Sequence, residues 1–314
     1  MEMKTGTYTN GELWLDPNGE PIHAHGGFIL FHDGYYYWYG EDRRDEYYVS
    51  CYRSEDLACW EFRNHILTTK SNTEKIRVRT KIKLSDESGA KVNMERPKVL
   101  YNEKTKKFVM WVHYENGKDY KDAAIGLASC DTPDGDFLYH GHFNPYGYMS
   151  RDCTLFVDDD KSAYFISASR DNADLHVYRL SEDYMNVAEL VGKLWQGEYR
   201  EAPAVIKTGG KYLMLSSFCT GWAPNQCKYS VADSMDGKWA DLMEIGDDTT
   251  FGSQAAFLLN VNGQVLYFGD RWQGSGENYF RSGYVVYPLT EANGKWIMEQ
   301  KTNVTFTKDG ALFT

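Results

Sequence analysis

The sequence predicts an all-β chain, a five-bladed β-propeller with four-stranded antiparallel blades, and three observations carry that prediction. Five times a polar residue opens an apolar strand, a tight turn follows, and an aromatic-rich strand returns; the openers are His25, Glu95, Asp152, Glu201 and Gln254. They lie 70, 57, 49 and 53 residues apart, room for four strands and their loops in each unit. No window sustains an apolar pattern of period 3.6, so almost no helix is expected.

The first hairpin of each unit is read from its turn. The strands Phe28-Ile29-Leu30-Phe31, Val99-Leu100-Tyr101, Thr154-Leu155-Phe156, Ala204-Val205-Ile206 and Ala256-Phe257-Leu258-Leu259 run into turns at Asp33-Gly34, Asn102 to Lys106, Asp158 to Lys161, Gly209-Gly210 and Asn262-Gly263. Return strands begin at Tyr35, Phe108, Ala163, Tyr212 and Val265. Asp-Gly, Gly-Gly and Asn-Gly between apolar runs are strong hairpin signals, because the favoured two-residue turns need positive φ. A second hairpin follows in each unit: turn residues before Trp60, Phe137 and Trp239, and weaker versions at Leu180 to Asp183 and Leu289 to Trp296. If each opener heads the innermost strand of its blade, all five side chains meet at one end of the central channel.

Residues 1–314 read as one catalytic domain, with blades at about 20–67, 93–146, 148–195, 199–246 and 250–300, since no linker-like shift in composition interrupts the repeat. Thr68 to Val92 and Arg271 to Arg281 break the rhythm and read as insertions at a loop face, where binding elements commonly sit. Glu12-Leu13-Trp14-Leu15 could pair with the last blade and close the ring.

A net charge of −11 and a pI near 5.2 argue against nucleic acid or an anionic membrane as partner and leave a neutral ligand open. No apolar run spans a bilayer, and Met1 to Asn10 is polar. As written the chain is expected in the cytoplasm, or outside the cell if a leader has been trimmed. The six cysteines lack metal-ligand spacing and read as buried thiols.

The chemistry starts from Glu95, Asp152 and Glu201, which share one repeat position. A carboxylate at a strand end is often only a solvated cap or the partner of an adjacent arginine, here Arg96, Arg151 or Arg200. Carboxylates converging in a low-dielectric funnel instead push their pKa values apart, so that one stays protonated while another stays ionised. Glycoside hydrolysis needs such a division: an acid for the leaving oxygen and a means of activating water.

Ala24-His25-Gly26-Gly27, Glu95-Arg96-Pro97-Lys98, Ser150-Arg151-Asp152, Arg200-Glu201-Ala202-Pro203, Cys219 to Asn225, Ser253-Gln254 and Gly269-Asp270-Arg271-Trp272 resemble, in order and over nearly the whole chain, the signature segments of glycoside hydrolase family 43. Within it they are most similar to the exo-β-1,3-galactanase (galactan 1,3-β-galactosidase) branch. The resemblance implies an inverting five-bladed propeller with Glu201 as general acid, Asp152 as the carboxylate that orients it and tunes its pKa, and Glu95 as a ligand for sugar hydroxyls. Most members place an aspartate base at the start of blade one, where this chain has Ala24-His25-Gly26; the galactanase branch shares that absence, and the resemblance puts Gln254 beside the attacking water. A neutral amide is a poor proton acceptor, so Gln254 would position the water or pass its proton on through a less stable tautomer. His25 and Glu41 are the alternatives.

Substrate contacts are expected from Glu95, His25, Glu41, Thr220 and three loop aromatics, Tyr120, Trp222 and Trp272, which could stack on sugar faces. His23 and His25 alternate onto one face but find no third ligand, so no metal site is predicted and no cofactor is required; a structural calcium in the channel is compatible but not predicted. Gly274-Ser275-Gly276 lacks the following helix of a phosphate loop, and Asp158-Asp159-Asp160 reads as a solvated turn. The expected partner is a galactose-containing oligosaccharide or polysaccharide. Other family activities, α-L-arabinofuranosidase or β-xylosidase, and a non-catalytic galactose-binding propeller are the competing readings.

Overall fold

A computed structural model describes residues 6–77, 80–86, 88–307 and 310–314. The start of the polar N-terminal segment, residues 1–5, and residues 78–79 and 87 of the first predicted insertion lie outside the described residues. Four antiparallel strands form each of five sheets, in simple sequential order. The first contains His25–His32, Tyr35–Glu41, Tyr47–Ser54 and Glu61–Thr68. The second contains Asn93–Asn102, Lys107–Glu115, Ala124–Cys130 and Leu138–Phe143. Cys153–Val157, Ala163–Ser169, Asp174–Leu180 and Val187–Leu194 make the third. The fourth has Arg200–Thr208, Lys211–Phe218, Lys228–Ala232 and the short Met243–Glu244, and the fifth has Gln254–Val261, Gln264–Arg271, Gly283–Ala292 and Lys295–Met298. Their first strands touch one another in cyclic order around the channel. Among the described residues the helical content is two short 3₁₀ turns, Pro145–Gly147 and Gly276–Arg281.

The expectation of five blades is corrected: the propeller has six antiparallel sheets. The sixth has three strands, Thr7–Thr9, Asn303–Thr307 and Gly310–Phe313, with Thr7 opposite Thr305 and Val304 opposite Phe313. It joins segments far apart in the sequence, so no local repeat announces it. The pairing with the last four-stranded sheet also falls earlier than Glu12 to Leu15. Asn10 bonds both backbone groups of Val286 through its side chain, the Gly11 N–H donates to the Tyr284 carbonyl, and the Tyr284 N–H donates to the Glu12 carbonyl.

The hairpin turns follow from their residues. Asp33-Gly34, Gly209-Gly210 and Asn262-Gly263 all have positive φ at both positions, the backbone twist that two-residue hairpins need. Just inside the openers a second device recurs: the strand register slips after His25, Glu95 and Glu201, with Gly26, Arg96 and Ala202 at φ of 56°, 51° and 49°. Such bulges re-aim the preceding side chain, and Pro97 and Pro203 sit there because a bulged residue need not donate to the ladder. At Gly26 a Cβ would lie 2.6 Å from the Glu41 carboxylate, so only glycine fits.

Apolar faces of adjacent sheets fill the spaces between them. The largest fully buried side chains include Trp14, Trp38, Trp60 and Trp111. Part of the first insertion runs along the outer strand of the second sheet, with Thr73 bridging to Tyr139 and Lys81 to His142. The cysteine expectation holds for Cys51, Cys153 and Cys227, which are buried; Cys130 and Cys219 are half-buried and Cys59 is exposed, because the last three sit at strand ends or in loops. Asp158 is also less solvated than its triplet promised, since it accepts from Lys207 at 2.7 Å and from the Tyr212 hydroxyl of the next sheet.

Trp14 lies at the junction of the first, fifth and sixth sheets, stacked on Tyr8 and edge-on to Trp38 and Phe306. Trp14→Ala is expected to destabilise the protein by about 3–5 kcal/mol in chemical denaturation, the range for emptying a buried tryptophan site. A cost under about 1 kcal/mol would mean that the sixth sheet adds little to the fold.

Candidate active site

Four of the five openers, Glu95, Asp152, Glu201 and Gln254, line one cavity of about 330 Å³ at the channel mouth. Glu41, Tyr120, Trp222 and Trp272 line it too, as do Arg43, Arg96, His113, Arg151, Asn172 and Cys219, to which no role was given from the sequence. Two expected contacts are not brought there. His25 is buried behind the wall, its Nδ1 2.9 Å from Asp270 and its ring against Tyr284, Tyr279 and Trp272. Thr220 is exposed and serves its own loop, donating to the Ala223 carbonyl and accepting from Asn225.

Arg96 is the hub. Its guanidinium is buried and reaches Asp152 Oδ2 at 2.7 Å, Gln254 Oε1 at 2.5 Å and the Ala255 carbonyl at 2.8 Å. The arginine adjacent to Glu95 in sequence therefore serves Asp152, because the bulge at Arg96 turns it across the channel. Its backbone N–H donates to Glu41 Oε1 at 3.0 Å. Beneath it the fully buried Lys98 donates to the Gly26 and Gly27 carbonyls at 2.6 and 3.0 Å, and burial pushes its pKa down to about 8.

The carboxylates are held in different states. Burial, then the negative charge of Asp152, raises the pKa of Glu201 to about 7, against the pull of Arg96. Burial alone would raise Asp152 as well, but Arg96 and then His113 hold it below the usual carboxylate range. For His113, burial would favour the neutral ring, yet Asp152, Glu115 and Glu95 outweigh it and lift the pKa to about 10. His113 Nε2 bonds Glu115 at 2.7 Å, while Nδ1 faces Glu95 and Asp152 at 3.5 and 3.6 Å. Glu95, His113 and Asp152 bring one donor atom each within 4.8 Å of one another, close enough to share a cation, and a protonated His113 supplies that positive charge itself.

Gln254 has all its bonding groups engaged. Its Oε1 accepts from Arg96 and from Trp272 Nε1 at 2.9 Å, and its Nε2 donates to Ser217 Oγ at 2.9 Å and Glu201 Oε1 at 3.1 Å. The other oxygen of Glu201 accepts from Asn172 Nδ2 at 2.9 Å. On the opposite wall Arg43 bridges Glu41 and Glu95 at 2.9 and 3.0 Å and lies over the Tyr279 ring. Trp222, Trp272 and Tyr279 form an aromatic corner with centroids 5.4 to 6.2 Å apart, and Arg151 sits over Tyr120. A charged floor with aromatic walls suits a polyhydroxylated ring that presents both hydroxyls and C–H faces.

The missed residues carry a signal. Three of them lie opposite an opener in the hairpin, as the expected Glu41 lies opposite His25: Ser217 opposite Glu201 and Asp270 opposite Gln254, both 16 residues on, and His113 opposite Glu95, 18 residues on. Counting across the predicted turns would have found them. Asn172 gave no such signal, because it stands on a turn.

The family model described as Glycosyl hydrolases family 43 matches residues 23–245. Over 98% of its length the chain is similar to an exo-β-1,3-galactanase from Clostridium thermocellum, with a TM-score of 0.89, 41% identity and 68% of that chain covered. An exo-β-1,3-galactanase from Phanerochaete chrysosporium, solved with a glutamate replaced by glutamine and with β-1,3-galactotriose, gives 0.86 and 33%, covering 98% of this chain and 70% of that one. A family 43 β-1,3-galactosidase solved with galactodeoxynojirimycin gives 0.82 and 31%, covering 94% and 99%. No curated protein sequence matches the chain.

The raised pKa of Glu201 has a consequence for stability. The native protein holds that proton up to about pH 7, whereas the unfolded chain releases it near 4.5. Between those values the native state binds more protons, so stability falls as pH rises through the window, by about 3 kcal/mol. Glu201→Gln should remove that slope. Urea unfolding of both proteins from pH 4 to 8 would show it, and identical slopes would refute the assignment.

Proposed function

The chain belongs to glycoside hydrolase family 43 and is a glycoside hydrolase, and on that footing we propose that it is an exo-acting, inverting β-1,3-galactosidase that releases galactose from β-1,3-galactan or its oligosaccharides. The observation that carries the mechanism is the opposite tuning of Glu201 and Asp152 in one cavity. Glu201 is the general acid: still protonated near neutral pH, it gives its proton to the glycosidic oxygen as the C1–O bond breaks. Asp152 is kept ionised by Arg96, and its charge favours the protonated form of Glu201. Glu95 and Glu41, held by Arg43, receive sugar hydroxyls, while Trp222, Trp272 and Tyr120 shape the walls.

Gln254 takes the place of the missing aspartate base. Its amide oxygen is committed to Arg96 and Trp272 and its Nε2 to Ser217 and Glu201, so it positions the attacking water by exchanging one of the two Nε2 bonds for it. Of the two alternative bases, Glu41 borders the cavity and His25 does not. The galactose reading is supported by its relatives, which are exo-β-1,3-galactanases and a β-1,3-galactosidase. The similarity to an exo-1,5-α-L-arabinanase, at 16% identity, speaks for the fold alone. A lectin would have no use for a carboxyl tuned to about 7.

Two experiments test this reading. Proton NMR in the first minutes of β-1,3-galactobiose cleavage should show α-galactose, since water attacks opposite the leaving group; initial β-galactose would overturn the mechanism, and release of arabinose or xylose alone would move the substrate assignment. Glu201→Gln should lower disaccharide turnover by roughly a hundredfold to ten-thousandfold and spare aryl galactosides with good leaving groups, while Gln254→Ala should lose on the order of a hundredfold on both kinds of substrate. Equal losses on both substrates in Glu201→Gln, or near-normal activity in Gln254→Ala, would refute the respective role.

A further inference from the structure

Glu201 is gripped by two amides, and they are not equivalent. Gln254 cannot turn over: its Oε1 faces Arg96 Nη2 and Trp272 Nε1, groups that only donate, so its Nε2 must be the atom 3.1 Å from Glu201 Oε1. The carbonyl oxygen of a neutral carboxyl group is a much better acceptor than its hydroxyl oxygen, so the fixed N–H favours Oε1 as the carbonyl oxygen. That leaves Oε2 as the favoured seat of the proton.

Oε2 faces Asn172, whose situation is the reverse. Its Nδ2 is 2.9 Å from Oε2, and its Oδ1 is buried with no hydrogen-bond partner. Apart from Glu201, the Cys219 thiol faces this amide, and a thiol can both donate and accept, so it is Glu201 that sets which way the amide faces. Turned one way it donates N–H to an ionised carboxylate; turned the other it accepts from a protonated one. Arg170-Asp171-Asn172 is a run of three residues at φ of 53°, 54° and 64°, a left-handed conformation that side-chain-bearing residues avoid, and it ends by placing the Asn172 side chain against the acid.

We propose that the acid proton of Glu201 resides on Oε2 and that Asn172 is its positioning residue, an amide that accepts from the neutral acid before catalysis and turns over to donate to the carboxylate after the proton has left. The inference rests on the acid role given to Glu201 above. In the forward step the Oε2–H bond breaks as the proton passes to the glycosidic oxygen, that oxygen takes the electron pair of the C1–O bond, the water oxygen bonds to C1 and gives up one proton to solvent, and Glu201 regains a proton from solvent before the next turnover. The leaving group must approach from the Asn172 side of Glu201. The titratable and charged groups that face Glu201 are Asp152, Arg96 and Cys219; Arg170 and Asp171 flank Asn172 but are paired outward with Asp174 and Arg151.

The test follows the Asn172 side-chain amide by NMR in asparagine-labelled protein, with an Asn172→Ala or Asn172→Asp variant to identify the signal. It should shift with a single midpoint near pH 7 and stop shifting in Glu201→Gln; a signal that does not titrate, or titrates equally in that variant, overturns the proposal. Kinetically, Asn172→Ala should lower kcat on a poor leaving group roughly ten- to a hundredfold, the worth of one hydrogen bond to a charged group, with little change in KM and a smaller loss on an aryl glycoside. A raised KM with unchanged kcat would make Asn172 a mere contact and refute it. Both readouts apply to whichever glycoside the unmodified enzyme cleaves, so an error in the galactose assignment would show in the substrate panel and leave this test intact.

Discussion

The buried guanidinium of Arg96 is the constraint on which the site depends. A planar fork with its donors fixed in one plane can serve several sheets at once, and here it reaches the third through Asp152 and the fifth through Gln254 and Ala255, while its own backbone is held by Glu41 of the first. A buried cation is tolerated only when every donor is matched and counter-charge is close. The carboxylates nearby satisfy that need, and in doing so they acquire the unequal ionisation on which the proposed mechanism rests. Structural neutralisation and catalytic tuning are here one network.

That network also accounts for an amide, and not a carboxylate, at position 254. A carboxylate at 254 would relieve Arg96 but stand beside Glu201, and two anions at that distance would drive the acid's pKa still higher. The amide presents an oxygen to the cation and an N–H to the carboxyl, so it is complementary to both neighbours without adding charge. Lys98 extends the logic downward: its ammonium takes up carbonyls that the bulges at Gly26 and Arg96 leave outside the ladder.

Much of this was legible in the sequence because turn chemistry is local. Asp33-Gly34 and Asn262-Gly263 fix their hairpins within a few residues, and the openers inherit their placement from those hairpins. What was not legible depends on register across the channel. The sequence places Arg96 next to Glu95, yet the positive φ at Arg96 sends it to Asp152, and only the fold reveals that crossing. His25 has the right repeat position but faces Asp270 and three aromatic rings, because Gly26 directly after it lets the strand pack against the Glu41 carboxylate. The sixth sheet was invisible for a related reason, since no periodicity links strands that come from opposite ends.

That last pairing bears on how the fold is reached. Thr7 and Thr305 share a hydrogen bond across 298 residues of sequence, and Trp14 finds its aromatic neighbours in the first, fifth and sixth sheets. The four-stranded sheets can each form from neighbouring residues, and the first strands of the first and fifth can meet without the sixth, but the cover over that seam forms only when Thr7–Thr9 finds Asn303–Thr307. Until then the apolar faces around Trp14 stay open to water and to other chains. The interval before that long-range pairing is thus when a folding molecule is most exposed to misassembly.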